Sequence, residues 1–233
     1  MARGTIIAMG VIDILTVLGV ILVSMMLHEL MHGFVALRLG DETARLLGRL
    51  TFNPLKHIDP VMTVILPIMI VTANALTGSQ APIFGGAKPV PFNPSNVRHG
   101  EWGVVLIALA GPFANLFIAF IAFCILGFSG AATGSMFRHV LEIVVQVNLG
   151  FFVFNILPIP PLDGSRAVYA IAPDFVRQAM DLVERYGTVL VFAVVILMNS
   201  VILQFMSVSI TFIIQLFRSE EHTSELQSHY RIS

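Results

Sequence analysis

Four long apolar runs dominate this sequence, and they constrain its fold more than any other feature. They cover residues 5–39, 101–128, 140–157 and 186–217. A helix of roughly 20 residues is long enough to cross the hydrocarbon core of a bilayer, which is about 30 Å thick. Inside lipid the backbone must satisfy its own hydrogen bonds, so such runs form helices. The sequence therefore predicts an all-α polytopic membrane protein with four full transmembrane helices.

The composition agrees with a membrane protein and excludes several other classes. Hydrophobic residues make up 56% of the 233 positions and charged residues only 12%, against about 25% charged residues in soluble domains. The formal net charge of -1 leaves no basic excess for binding nucleic acid. The single cysteine, Cys124, excludes a disulfide framework and a thiolate metal site. Any metal must therefore be bound by His, Asp or Glu.

A fifth apolar run, residues 58–76, is predicted to enter the membrane and return. Pro60 and Pro67 each interrupt a regular helix in this run. If the run crossed the membrane, the basic residues up to position 218 would divide six against six, whereas a re-entrant run divides them nine against three. Cytoplasmic loops are enriched in basic residues, so the re-entrant arrangement is favoured, with both termini outside. We expect four full spans plus one re-entrant or fifth apolar segment, with short extended loop segments.

The polar stretches between and after the runs are predicted to be loops and a tail. Residues 40–57 and 78–100 are rich in Pro, Gly and Asn, and each contains an Asn-Pro pair typical of a turn, at Asn53 and Asn93. Residues 218–233 are polar without an apolar face, so we expect a disordered tail. That tail looks like read-through sequence, and its histidines are not candidate ligands. Residues 1–217 then form the membrane core.

An HExxH motif, His28-Glu29-Leu30-Met31-His32, lies inside the first apolar run. Residues i and i+4 share one face of a helix, so both imidazoles can bind one Zn²⁺ while Glu29 acts as general base on a water molecule. A simpler interpretation is a pair of histidines that form hydrogen bonds in a helix bundle or hold haem. Ionisable groups in a membrane helix are costly and usually functional, which favours the metal site.

A catalytic zinc usually has three protein ligands, so a third ligand must come from elsewhere in the chain. The candidates are His57, His99, His139, Asp13, Asp59, Glu142 and Asp163. Asp13 precedes His28 by 15 residues, which is about 22 Å along a helix and out of reach. Asp163 is favoured because it follows a proline-rich break where backbone can shape a cavity. An equally simple interpretation of Asp163 is a turn or a helix N-cap.

Together these motifs resemble the site-2 protease family of intramembrane zinc metalloproteases, in its minimal prokaryotic-type form. The resemblance rests on HExxH, on GPFAN at residues 111–115 and on NILPIPPLDG at residues 155–164, and it covers residues 5–180. It implies one Zn²⁺ per chain, bound by His28, His32 and Asp163, with Glu29 as the catalytic base. The implied substrates are transmembrane segments of other membrane proteins. The implied location is a prokaryotic plasma membrane, with the active site in its cytoplasmic half.

Four further residues are candidates for binding substrate or supporting the site. By resemblance, Asn155 holds substrate or positions the site, and Asn115 lies near it; a buried Asn bonded to backbone is the simpler interpretation of Asn155. Gly86, in GGAKPV at residues 85–90, matches a partly extended segment that can pair with an unwound substrate, although prolines weaken a strand and a surface turn is the alternative. His57 is placed either at the mouth of the metal site or in a loop at the membrane surface.

Two other classes of protein remain open from the sequence. A proton or metal-ion transporter or channel could use Asp13, His28, Glu29, His32 and Glu142 as an ion path. A non-catalytic membrane protein could hold metal or haem with the same histidines.

Overall fold

The computed structural model describes residues 11–65, 68–69, 72, 88–197 and 204–217. The described helices are α1 (Val11–Arg38), α2 (Thr43–Leu46), α3 (Glu101–Phe128), α4 (Met136–Asn155), α5 (Ser165–Ile171), α6 (Asp174–Leu197) and α7 (Gln204–Phe217). They are joined by 3-10 turns at Pro54–Lys56 and Pro94–Asn96 and a π-helical turn at Pro60–Ile65. The described part of the chain contains no β-strand. The predicted all-α class is confirmed.

Three of these helices are long and apolar enough to cross a membrane: Leu15–Arg38 within α1, α3 and α4. They correspond to the first three apolar runs. Helix α4 begins before its run because the side chain of Ser135 caps it, accepting a hydrogen bond from the backbone N of Arg138 at 3.3 Å. Residues 198–203 of the fourth run, residues 66–67, 70–71 and 73–76 of the fifth run, and the tail lie outside the described residues. The fourth span, the re-entrant segment and the disordered tail stay predictions.

Helices α1, α3 and α4 pack against one another and bury their facing apolar side chains. Two buried clusters join α4 to its neighbours. The cluster between α3 and α4 contains Ala119, Ala122, Val145 and Leu149. The cluster between α1 and α4 contains Ile21, Met25 and Phe151. Small side chains on α3 let the backbones of α3 and α4 approach closely. Large apolar side chains such as Phe113 and Phe117 remain exposed on α3. That surface suits lipid, because acyl chains solvate apolar groups that water would not.

Both Asn-Pro pairs form the turns that the sequence predicted. Asn53 precedes the turn Pro54–Lys56 and its side chain accepts a hydrogen bond from the backbone N of Leu55 at 3.1 Å. Asn93 precedes Pro94–Asn96 and accepts from the backbone N of Ser95 at the same distance, 3.1 Å. These turns shape the loops that pack beside the carboxyl-terminal end of α1.

Candidate metal centre

Helix α1 places His28 and His32 one turn apart on a buried face. Their rings meet edge to face, with centroids 4.6 Å apart. The Oδ2 atom of Asp163 lies 3.1 Å from Nε2 of His28 and 3.5 Å from Nε2 of His32. The three side chains offer ligand atoms that all lie within 4.8 Å of one another. In the part of the chain that the structure describes, this is the one group of three or more His, Cys, Asp or Glu residues that could hold a metal ion.

Asp163 reaches the histidines because the chain turns back after α4. The prolines of residues 158–161 prevent the helix from continuing. The backbone N of Gly164 then donates to the carbonyl of Asn155 at 2.7 Å and closes the loop. A Cβ at Gly164 would collide with the backbone of Ile156, so this close approach requires glycine. The N-cap of α5 is Gly164 with no side-chain cap bond, and the carboxylate of Asp163 faces the imidazoles instead.

The donor set fits a zinc ion. Burial of the Asp163 carboxyl raises its pKa, but the adjacent imidazoles of His28 and His32 lower it more, and the pKa of Asp163 lies well below its ordinary value. The carboxylate is therefore ionised at neutral pH. Two imidazoles and one carboxylate form a donor set of the kind found at catalytic zinc sites, which keep a fourth position for water or substrate.

Hydrogen bonds to the far ring nitrogens orient both imidazoles. Nδ1 of His32 lies 2.7 Å from the backbone carbonyl of Ile107, and Nδ1 of His28 lies 2.6 Å from Oδ1 of Asn115. Both oxygens can only accept, so each Nδ1 donates a proton, and Nε2 is the ring atom that remains for a metal ion. Asn115, a candidate supporting residue from the sequence, is thus in direct contact with His28. Such partners behind metal ligands hold the ring and fix its tautomer.

Helix α3 makes room for the imidazoles at Gly111. A Cβ built at Gly111 would lie 2.6 Å from Nε2 of His28 and still closer to Nε2 of His32. The two rings therefore occupy the space that any other residue at position 111 would fill. In the sequence Gly111 was noted as the first residue of GPFAN, and the structure places it directly against the metal-facing atoms.

The carboxylate of Glu29 faces a segment that we call the strap, residues 88–96. Oε2 of Glu29 accepts a hydrogen bond from the backbone N of Val90 at 2.7 Å, and both groups are buried. Pro89 and Pro91 flank Val90 and have no N–H to donate. Val90 therefore supplies the single backbone donor of this three-residue stretch, and that donor is directed at Glu29.

Arg49 holds the first residues of the strap. Its guanidinium donates to the carbonyls of Lys88 at 2.8 Å and Pro89 at 3.3 Å. It also donates to the carbonyl of Lys56 at 2.7 Å, which ties the preceding loop to the strap. One planar guanidinium thus fixes the two carbonyls immediately before Val90 and one carbonyl of the preceding loop.

Asp41 holds the other end of the strap. Its buried carboxylate accepts hydrogen bonds from the backbone N of Asn93 at 2.9 Å and from Nδ2 of Asn96 at 3.1 Å. Thr43 donates to it as well, through its hydroxyl at 2.6 Å. Burial raises the pKa of Asp41, but these hydrogen bonds lower it more, so the net pKa is below the ordinary value and the carboxylate stays ionised.

The other candidates from the sequence lie apart from the three ligand atoms or outside the described residues. The Nδ2 atom of Asn155 donates to the carbonyl of Phe151 at 3.0 Å, in agreement with the simpler interpretation of a backbone-bonded Asn. His57 is buried, with Nε2 donating to the carbonyl of Thr51 at 2.9 Å, and it is not part of the metal-capable group. Gly86 lies outside the described residues.

Glu142, a member of the alternative ion path, lies far from the imidazoles along α4. It pairs with Arg138 at 2.8 Å in the first turns of that helix. Asp163 follows the opposite end of α4, about 20 Å away at 1.5 Å per residue. The side chain of Asp13 lies outside those that the structure describes.

Sequence reasoning missed four contributors to this site: Gly111, Arg49, Asp41 and Val90. Gly111 was noted as part of GPFAN, but its contact with the rings depends on how α1 and α3 cross. Arg49 and Asp41 lie in a loop whose composition predicted only turns. The one local signal was Pro89-Val90-Pro91, a pattern that isolates a single N–H donor.

Comparisons with known proteins agree with one another. The profile of peptidase family M50 matches residues 127–199. A Bacillus subtilis (strain 168) protein named "Putative zinc metalloprotease YwhC" is 39% identical over 174 residues, covering 72% of this chain and 74% of that protein. A Mycolicibacterium smegmatis protein named "Putative zinc metalloprotease Rip2" is 32% identical over 178 residues, covering 75% of this chain and 64% of that protein. The protein of the same name in Mycobacterium tuberculosis H37Rv is 32% identical over 155 residues, covering 63% of this chain and 53% of that protein. No solved structure matches the chain significantly.

Proposed function

The chain belongs to peptidase family M50, and from this premise we propose that it hydrolyses peptide bonds within or near transmembrane segments of other membrane proteins. Membership confirms the resemblance to the site-2 protease family that the motifs indicated. The relatives are named as zinc metalloproteases, and three helices of this chain are suited to span a membrane. The chain is an integral membrane metallopeptidase.

The single observation that carries the proposal is the convergence of HExxH with Asp163. The carboxylate comes from a loop 135 residues away in sequence from His28 and lies 3.1 Å from its Nε2 atom. Both lie beside Glu29, the residue that the motif assigns as base. Three ligands with a carboxylate next to them supply the parts that metal-assisted hydrolysis requires.

We assign metal binding to His28, His32 and Asp163 and acid–base catalysis to Glu29. When bound, zinc would supply the Lewis acidity that activates water and polarises the scissile carbonyl. Glu29 takes the proton from the attacking water and later donates it to the leaving amine. The hydrogen bond from the Val90 backbone N to Oε2 of Glu29 leaves Oε1 for this transfer.

The substrate must present an extended backbone to this site. A helical segment keeps its carbonyls bonded within the helix, and in lipid those bonds are hard to replace. Local unwinding is therefore part of the proposed reaction. Asn155 and Gly86 remain candidates for holding the unwound segment, and Asn115 acts on His28 rather than on substrate.

The proposed topology has four full spans and one re-entrant segment, with the site in the cytoplasmic half of the membrane. His32 precedes Arg38, the end of α1, by six residues, or about 9 Å. For Asp163 to meet His32, the chain between them must cross the membrane an even number of times. Helices α3 and α4 provide two crossings, which supports a re-entrant run at residues 58–76. The positive-inside rule then favours the cytoplasmic face of a prokaryotic plasma membrane. Residues 1–217 form the catalytic core and residues 218–233 a dispensable tail.

The substitution Glu29→Gln tests the proposed reaction. The purified full-length variant should bind zinc as the wild type does and should lose cleavage of a reporter transmembrane segment in proteoliposomes, because an amide cannot accept the proton. The matched control is Glu42→Gln, since Glu42 pairs with Arg45 at 2.6 Å outside the metal centre. The control should cleave at the wild-type rate.

The outcome also separates the other classes of protein. A haem protein would show a Soret band and would tolerate Glu29→Gln. A transporter would move protons or metal ions across the vesicle membrane without Glu29-dependent cleavage. Wild-type protein that carries zinc yet leaves every reporter segment intact would contradict the proposed reaction.

A further inference from the structure

We propose that Asn148 and Ser24 are positioning residues of the metal centre, which orient the ring of His28 through the carboxamide of Asn115. The sequence singled out neither residue. Asn148 lies on α4 and Ser24 on α1, one turn before His28. Both are buried in the interior of the three-helix bundle. The inference rests on the proposed metal centre, because it concerns how one ligand is prepared for binding.

A backbone carbonyl fixes the orientation of the Asn148 carboxamide. Its Nδ2 atom lies 2.8 Å from the carbonyl of Val144 and 2.9 Å from Oγ of Ser24. A carbonyl oxygen can only accept, so the amide nitrogen must be the atom that faces Val144. The Oδ1 atom of Asn148 consequently faces the other way, 2.8 Å from Nδ2 of Asn115.

The Asn115 carboxamide then has one satisfactory orientation. Its Nδ2 atom donates to Oδ1 of Asn148 and, at 3.4 Å, to the backbone carbonyl of Ser24. Its Oδ1 atom is left facing Nδ1 of His28 at 2.6 Å. Because this oxygen accepts, Nδ1 of His28 must donate, and this bond holds the ring with Nε2 directed at Asp163.

Every amide hydrogen in this network has an acceptor. The two on Asn148 are directed at Val144 and Ser24, and the two on Asn115 at Asn148 and Ser24. Asn115 and Asn148 are both fully buried, where an unpaired polar group is costly. Reversing either amide would set nitrogen against nitrogen or oxygen against oxygen. The network therefore resists reversal.

The two metal-binding histidines depend on different supports. His32 bonds directly to the carbonyl of Ile107, which needs no intermediate. His28 depends on two carboxamides, and only the second of them is anchored to the backbone by a strong bond. If Asn148 is lost, Asn115 can rotate and present Nδ2 to His28. Nδ1 of His28 would then face a donor instead of an acceptor, and the ring would lose the contact that directs Nε2 at the metal site.

The test compares Asn148→Leu with Gln146→Leu, both in the full-length chain in detergent micelles. Leucine resembles asparagine in shape but offers no hydrogen bond, and Gln146 is an exposed amide on the same helix. The first measurement is ¹H–¹⁵N NMR of histidine-labelled, zinc-loaded protein, in which the shift of each Nδ1 proton reports the hydrogen bond that this proton makes. The second is the zinc dissociation constant, from competition with a chromophoric chelator.

In Asn148→Leu we expect the Nδ1 proton of His28 to move upfield, because its hydrogen bond to Asn115 weakens, while the Nδ1 proton of His32 keeps its wild-type shift. We expect the zinc dissociation constant to rise by about 10- to 100-fold, the usual effect of removing a partner behind a metal ligand. Gln146→Leu should match the wild type in both measurements. A merely structural role for Asn148 would disturb both histidines or neither.

An unchanged shift of the His28 Nδ1 proton, together with a zinc dissociation constant within twofold of the wild type, would overturn the proposal. If Asn148→Leu does not fold, Asn148→Ala removes the same carboxamide without bulk and carries the same expectation. Both measurements read metal binding and not cleavage, so the inference is judged separately from the proposed reaction. Wild-type protein that binds no zinc would contradict the proposed metal centre instead.

Discussion

The substitution Gly111→Ala should weaken zinc binding through a single methyl group. The added Cβ would lie 2.6 Å from Nε2 of His28, whereas ordinary contacts begin near 3.4 Å. The ring must therefore retreat by about 0.8 Å or α3 must move away from α1. Because Nε2 is the metal-binding atom of each histidine, a retreat moves the ligand itself.

The magnitude follows from the cost of overpacking. Extra methyl groups in well-packed interiors cost about 1–3 kcal/mol. In the metal-free chain the rings can turn aside and avoid much of that cost, but they must return when zinc binds. The full cost then appears in zinc affinity, as an increase of the dissociation constant by about 5- to 140-fold.

Chelator competition on the purified variant measures this effect, and Gly19→Ala is its matched control. Gly19 lies on α1, and a Cβ there would meet nothing within 4 Å. In a helix interior Gly→Ala favours the helix by up to about 1 kcal/mol, so the control should fold well and bind zinc normally. Gly111→Ala protein that binds zinc within twofold of the wild type would refute the reasoning, because the rings would then not occupy the space above Gly111.

Three other predictions follow from the same structure. Asp163→Asn should lower zinc content and cleavage together, because an amide is a weaker ligand for a dication than a carboxylate. Zinc analysis and the reporter assay measure the two effects, and unchanged values would show that Asp163 is not a ligand. Asp41→Asn should destabilise the protein by about 1–3 kcal/mol at pH 7, since a buried carboxylate loses its charge. Hydrogen bonds lower the pKa of Asp41 in the folded chain, so the stability that the ionised carboxylate contributes is complete above the unfolded pKa of about 3.9 and is lost as the pH falls through the lower folded pKa. Denaturation at pH 7 and at pH 3 should therefore show that the difference in free energy of unfolding between variant and wild type shrinks at the lower pH. A difference that stays constant would contradict this role of Asp41. Single cysteines at Lys56 and Lys88, with Cys124 removed, should both be labelled from the cytoplasmic side, and labelling from opposite faces would overturn the re-entrant topology.

The features that the sequence predicted are those encoded locally. The first three apolar runs became helices suited to span a membrane, because length and apolarity alone decide that outcome. The placement of His28 and His32 on one face follows from helical periodicity, without reference to the rest of the fold. The Asn-Pro turns were equally local, since the side chain bonds to a backbone N two residues later.

The features that the sequence did not predict depend on contacts between distant segments. No periodicity brings Asp163 to His28; the proline-rich break favoured Asp163 among several candidates, and the family resemblance indicated the pairing. The steric role of Gly111 depends on how closely α1 and α3 cross. The partner of Glu29 is a backbone atom of Val90, and side-chain patterns do not report backbone donors. Asn148 was equally hidden, as one of several polar residues in an otherwise apolar helix.

The contact between Glu29 and the strap has a consequence for how this protein tolerates mutation. The group that bonds to Glu29 at Val90 is an N–H, which nineteen of the twenty amino acids share. In saturation mutagenesis at position 90, the volume of the new side chain should therefore decide whether the protein keeps its activity, because the Val90 side chain packs near Gly33. Proline should be the one exception. Proline lacks the donor, and its effect should fall on turnover as well as on folding.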